Sequence, residues 1–181
     1  MRRVSRAIAL VIVVVVAGGL SAAASGPNLV TNADFTQGVQ GNGVPIGWGV
    51  SVPAHFTRSD SIFRTSPTSG RIEGGSQDRV NARQRLREIS GGTAYHVSAW
   101  IFIDTVDPLF QVLFQVRWFD DANQPIQTDT IANLTVPNDG FSRHVSVLNA
   151  PALATAATVR FVTIGLAGGV FVDTVVFRTV Q

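Results

Sequence analysis

Between Tyr95 and Phe119 apolar side chains recur at every second residue, which is the repeat of a β-strand with one buried face and not that of a helix. Tyr95, Val97, Ala99, Ile101 and Ile103 share one face of the first run, and His96, Ser98, Trp100 and Phe102 share the other. After a turn at Asp104 to Pro108, a second run sets Phe110, Val112, Phe114, Val116 and Trp118 against Gln111, Leu113, Gln115, Arg117 and Phe119. Asp120-Asp121-Ala122-Asn123 and then Pro125 close it with turn chemistry.

The same reading extends along the chain. Val80 to Ile89 is a strand with Arg83, Arg85 and Arg87 on one face and Ala82, Gln84 and Leu86 on the other. Arg143 to Leu148, Thr158 to Ile164 and Val170 to Val176 are β-branched runs separated by Ala150-Pro151 and by Gly165 to Gly169. Ala150 to Ala157 is too short for more than a turn. Many short strands with turn signals between them predict an all-β domain, a single β-sandwich or barrel. With no cysteine in the chain, that domain stands on its core and not on disulfides.

The N-terminal segment has a different character. Arg2, Arg3 and Arg6 precede an apolar run from Ala7 to Ala17, and Ser21-Ala22-Ala23-Ala24-Ser25 follows with the small residues of a cleavage site. Residues 1–24 therefore read as a signal peptide cleaved near Ala24, and residues 25–181 as the domain, exported and free of the membrane. All 14 basic side chains are arginine; without the three in the leader, 11 face 12 acids, a net charge of −1. That balance lacks the basic excess of a nucleic-acid binder.

The order of several short motifs carries a resemblance. Asn28-Leu29-Val30-Thr31-Asn32-Ala33-Asp34-Phe35, Pro45-Ile46-Gly47-Trp48, Gly92-Thr93-Ala94-Tyr95-His96-Val97-Ser98-Ala99-Trp100, Phe141, Ala150-Pro151 and Val170-Phe171-Val172-Asp173-Thr174-Val175 occur in sequence. Together they resemble the CenC-like carbohydrate-binding modules of families 4, 9, 16 and 22. The resemblance implies a galactose-binding-domain-like jelly roll that takes a poly- or oligosaccharide on a concave sheet face; a monomer is the separate expectation. Thr36 stands where that family has Glu, and Thr174 where it has a second Asp.

A sugar site needs a flat ring and planar polar groups. The alternation groups Gln115, Arg117 and Phe119 with His96, Ser98 and Trp100 on one candidate surface. The resemblance adds Asn81 and Arg83 and favours Trp100 and Phe119. Arg83, Arg85 and Arg87 form either a solvated strand face or a stripe for an anionic polysaccharide. Trp48 and Trp118 read as core. No cofactor is required, but the family's structural Ca²⁺ implies a site at Asp173, Thr36 and Ser69; the alternative is that Asp173 bonds backbone amides. The sequence carries no nucleophile elbow, zinc-protease or phosphate-loop motif. Only Glu73 and Glu88 join the aspartates, most of which lie in turns, so a hydrolase carboxylate pair is not indicated. A non-catalytic, secreted sugar-binding protein is the expectation; an envelope structural or interaction protein reusing the jelly roll is the alternative.

Overall fold

The structure, a computed structural model, describes residues 26–65, 67–74, 79–105, 110–165 and 168–180. The leader expected at 1–24 and most of the turn after Asp104 lie outside the described residues. The described residues form ten strands: β1 (Gly49–Val50), β2 (Phe56–Ser59), β3 (Ser69–Gly74), β4 (Arg79–Leu86), β5 (Ala94–Thr105), β6 (Gln111–Phe119), β7 (Pro125–Leu134), β8 (Ser142–Asn149), β9 (Ala156–Ile164) and β10 (Gly168–Thr179). They make two five-stranded antiparallel sheets, in the orders β1-β4-β9-β6-β7 and β2-β3-β10-β5-β8. The all-β sandwich expected from the alternation is the observed fold, with a single 3-10 turn at Pro53–His55 as its one helical element among the described residues.

The inward faces follow the pattern in the sequence. Tyr95, Val97, Ala99, Ile101 and Ile103 are buried, and across the interface so are Val112, Phe114, Val116 and Trp118. The expectation that β5 and β6 contribute to one surface is corrected. β5 pairs with β8 and β10, whereas β6 pairs with β7 and β9. Each strand has one apolar face, and a sandwich buries both by stacking them against each other. Their polar faces then point in opposite directions.

The N-terminal segment closes one end of the sandwich. The Asn28 side chain donates to the Val175 carbonyl and accepts from the Phe177 amide, both at 2.8 Å. Gln84, on the inward face of β4, accepts from the Thr31 amide at 2.7 Å and donates to the Thr31 carbonyl at 2.9 Å, so a buried amide does the work of a strand partner. Asn32 donates to the Ile46 carbonyl and receives the Trp48 indole N–H on its own carbonyl. Trp48 in turn stacks on Phe35 at 5.4 Å. Gly47 connects these pieces at φ +83°, and a Cβ there would lie 2.7 Å from the Thr31 hydroxyl.

β10 carries a bulge between Asp173 and Val176, where Thr174 adopts φ +50°, a strained value for a β-branched residue. Asp173 is fully buried. Its Oδ2 accepts from the Arg64 amide at 2.9 Å and the Thr65 amide at 3.3 Å, and its Oδ1 from the Thr174 hydroxyl at 3.0 Å. One carboxylate thus fastens the loop after β2 to the bulge. Replacing it removes a buried carboxylate that accepts three part-buried donors, so Asp173→Ala should cost on the order of 2–3 kcal/mol. Urea unfolding checks this: the midpoint should fall with the slope unchanged, and an unaltered midpoint would refute the role.

Candidate functional site

The outward residues of β4, β9 and β6 enclose an open groove of about 490 Å³. Register explains its shape. Arg83 faces Arg160, which faces Gln115; Arg85 faces Thr158, which faces Arg117. The central strand β9 forms the floor with Thr158 and Arg160. Asn81, Arg83 and Arg85 wall it on one side, Arg117 and Phe119 on the other, and the turn Gly47 to Gly49 borders it. Long side chains on both flanking strands shade the floor, which is why Arg160 is only 8% exposed.

The ring of Phe119 is half-buried, with the Arg85 guanidinium over it at 3.9 Å from the centroid. That guanidinium also donates to Asn123 Oδ1 at 2.6 Å. Arg160 donates from Nη2 to Gln115 Oε1 at 2.7 Å, and Gln115 Nε2 donates to Thr130 Oγ1 at 2.9 Å. Two buried polar atoms of the groove have no protein partner: Asn81 Oδ1, an acceptor, and Arg160 Nε, a donor. Buried polar groups are nearly always satisfied, so each of these two has bonding capacity left for a water or a ligand; Thr163 Oγ1 and Arg178 Nε, outside the groove, are in the same state. The pKa of Arg160 lies below the ordinary guanidinium value, first through burial and then through Arg117, Arg79 and Arg83.

Of the residues expected from sequence, Asn81, Arg83, Arg117 and Phe119 meet in this groove. Gln115 borders it but spends both ends of its amide on Arg160 and Thr130, so it positions Arg160. His96 and Trp100 are on the outer face of the opposite sheet, a correction to the shared surface expected for them. There the Arg64 guanidinium covers Trp100 at 3.5 Å from the ring centroid. Phe102 stacks on Phe171 and meets Phe141 at a tilt, both at 5.7 Å between centroids. His96 lies 3.4 Å from Arg143; burial first, then Arg143 and Arg178, lower its pKa below the usual imidazole value. Trp48 and Trp118 are core residues, as expected. Sequence reasoning missed Arg160 and Thr158. The signal was a lone arginine inside the β-branched run Thr158 to Ile164, which places it on the same face as Thr158.

The donor set expected for calcium does not fit that ion. Ca²⁺ takes six to eight oxygens, yet both Asp173 oxygens already receive N–H or O–H donors, which repel a cation. The Thr36 hydroxyl donates to Asp34 Oδ1 at 2.8 Å, and that of Ser69 to the Ile62 carbonyl at 2.5 Å. Among the described residues no group of three or more His, Asp or Glu is placed to hold a metal.

No protein-family model matches the chain, and no curated protein matches its sequence. Solved structures do match. The C-terminal family 22 carbohydrate-binding module of Clostridium thermocellum Xyn10B superposes with a TM-score of 0.65 at 17% identity, over 85% of this chain and 96% of that one. A family 61 module in complex with β-1,4-galactotriose gives 0.58 at 13% identity, over 84% and 99%. The fold is that of a carbohydrate-binding-module jelly roll. The enzymatically active domain of bacteriophage CBA120 tailspike protein 4 also matches, with a TM-score of 0.67 at 17% identity, over 84% of this chain. This chain covers only 21% of that one.

Because Asp173 is fastened by protein donors, the melting temperature should be the same in excess calcium and in chelator. An ion bound only by the folded state raises the melting temperature with its concentration, so a calcium-dependent rise would restore the metal site.

Proposed function

We propose that this is an exported, monomeric, non-catalytic sugar-binding protein that holds a poly- or oligosaccharide in the groove over β4, β9 and β6. The observation that carries this reading is the pairing of a half-buried ring, Phe119, with an unpartnered acceptor and an unpartnered donor, Asn81 Oδ1 and Arg160 Nε. A pyranose offers what such a site lacks: an apolar C–H face for the ring, and hydroxyls that both donate and accept. Planar guanidinium groups at Arg83 and Arg117 add further donors for ring oxygens and hydroxyls.

The structural neighbours support the class of ligand. The family 22 module has a ligand-binding cleft and the family 61 module holds a galactotriose. Hydrolysis of a glycoside needs two placed carboxylates, and the described lining of this groove offers arginines instead. Export rests on the leader read at residues 1–24.

Binding is tested by affinity electrophoresis of the protein collected from a secreting host, run through gels carrying a panel of polysaccharides. Phe119→Ala should weaken retention by about tenfold or more, the scale of one lost aromatic contact in a desolvated pocket. Trp100→Ala, on the opposite face, should leave retention unchanged. Loss with Trp100→Ala but not with Phe119→Ala would move the site to the other sheet, and no retention on any polysaccharide would end the sugar-binding reading.

Export has its own check. Mass spectrometry of the protein in the medium should find an N-terminus at Ser25 or within about one residue of it; an intact Met1 on membrane-bound protein would contradict cleavage.

A further inference from the structure

The outward positions of β1, β4, β9, β6 and β7 carry Arg79, Arg83, Arg85, Arg160 and Arg117, and no Asp or Glu among the described residues. Residues 25–181 as a whole carry 11 arginines against 12 acids, so this face is cationic by segregation and not because the chain is basic. The described ion pairs lie elsewhere, Arg58 with Asp60 and Arg71 with Glu73 on the second sheet. Asp120 and Asp121 reach only a neighbouring depression shared with Arg85 and Arg87.

Like charges directly opposite on neighbouring strands are destabilising, and Arg83 and Arg160 are directly opposite. Arg85 and Arg117 flank Thr158 in the next outward row, about 7 Å along the strands. Among the described residues no carboxylate pairs with these guanidiniums. Burial and neighbouring guanidiniums both depress the pKa of Arg160, as they do for Arg85, where burial leads and Arg87 follows.

We propose that the groove selects an anionic glycan, one whose sugars carry carboxylate or sulfate groups at regular intervals. This rests on the sugar-binding reading and names its ligand class. Guanidinium groups take carboxylate and sulfate through paired N–H donors. Two outward rows of them, two residues apart on the strands, present positive charge at a repeat along the groove, while Phe119 and Asn81 remain for the sugar ring and its hydroxyls. A clustered field of one sign in a cleft also concentrates such a ligand. Single-stranded nucleic acid is the less favoured polyanion: its binders line a groove with several stacking rings, and here Phe119 is the one half-exposed ring.

The test uses the secreted protein and isothermal titration against four kinds of probe. These are neutral glycans (xylan, β-1,4-galactan), polygalacturonate and its carboxyl-reduced form, chondroitin sulfate, and single-stranded DNA. Binding to polygalacturonate or chondroitin sulfate is expected: polygalacturonate carries carboxylate alone, so its binding identifies carboxylate, and binding of chondroitin sulfate, which carries both groups, without polygalacturonate points to sulfate. Affinity should fall by about tenfold or more between about 50 and about 200 mM salt, as counterion release requires when several phosphate-like contacts form. Carboxyl reduction should abolish binding to the polyuronate. Arg83→Gln and Arg117→Gln, both at the rim, should each weaken binding about tenfold through loss of a charge-assisted contact, with circular dichroism confirming the fold. Arg143→Gln on the opposite sheet should change nothing.

Equal affinity for neutral and charged glycans, or no effect of Arg83→Gln and Arg117→Gln, would overturn the anionic selection and leave the sugar-binding reading standing. Single-stranded DNA bound as tightly as the glycan would overturn it in favour of a general polyanion site. If no glycan of any charge binds, both readings fall together.

Discussion

Two clusters of rings hold the sheets together, and the rest of the structure is arranged around them. At one end Trp48 packs on Phe35, Phe56 and Phe161, and Phe161 stacks on Phe114 at 4.8 Å. At the other, Trp118 from the first sheet meets Tyr95 and Phe177 from the second. Each pair adds about 0.5–1.5 kcal/mol beyond its buried area. In a chain without cysteine these cross-sheet contacts stand where disulfides often would. They also leave little slack: a Cβ at Gly70 would meet the Phe35 ring at 2.7 Å and the Phe56 ring at 2.9 Å.

Once the rings face inward, alternation leaves two outward faces with opposite characters. On the second sheet several outward side chains find partners within the protein. Arg64 lies on Trp100, Phe102 lies on Phe171, and Arg71 pairs with Glu73. On the first sheet the groove keeps like charges side by side and leaves two polar atoms unpaired. Arg83 confronts Arg160 across the ladder, Arg160 Nε meets no acceptor, and Asn81 Oδ1 meets no donor. A folding protein gains nothing from such an arrangement on its own. Departures from local consistency of this kind concentrate where a protein binds something.

How much of this could be read beforehand depends on what a repeat of two encodes. It assigns each residue to the inside or the outside of its own strand, and it did so correctly for every inward residue of β5. It does not name the strand that lies alongside. Alternation alone therefore groups His96 and Trp100 with Arg117 and Phe119, although the two pairs belong to opposite sheets. Alternation does put Gln84 on the face of Ala82 and Leu86, and backbone amides as partners of Asp173 are one of the two readings of that residue, but neither names the partner. Each residue places a polar group at a buried position, where the partners lie far away in sequence: Thr31 for the one, Arg64 and Thr65 for the other. The short strands β1, β2 and β3 carry too few residues for alternation to register. β7, exposed along most of its length at the sheet edge, has no apolar face to betray it.

The residues that carried the resemblance to sugar-binding modules turn out to be those that build the sandwich. Asn28 closes the last strand, Asn32 and Trp48 tie the first segment together, Tyr95 accepts the Ser90 amide in the core, and Asp173 fastens the bulge. Apart from the turn that holds Trp48, none of those motifs lines the groove. Its floor and walls come from Asn81, Arg83, Arg85, Arg117, Phe119, Thr158 and Arg160, positions outside every one of them. A fold can thus persist at 13–17% identity while the lining of its cleft is free to change, because packing restricts the inward residues and leaves the outward ones to the ligand. What the groove takes must be argued from the lining itself, and here the lining is arginine.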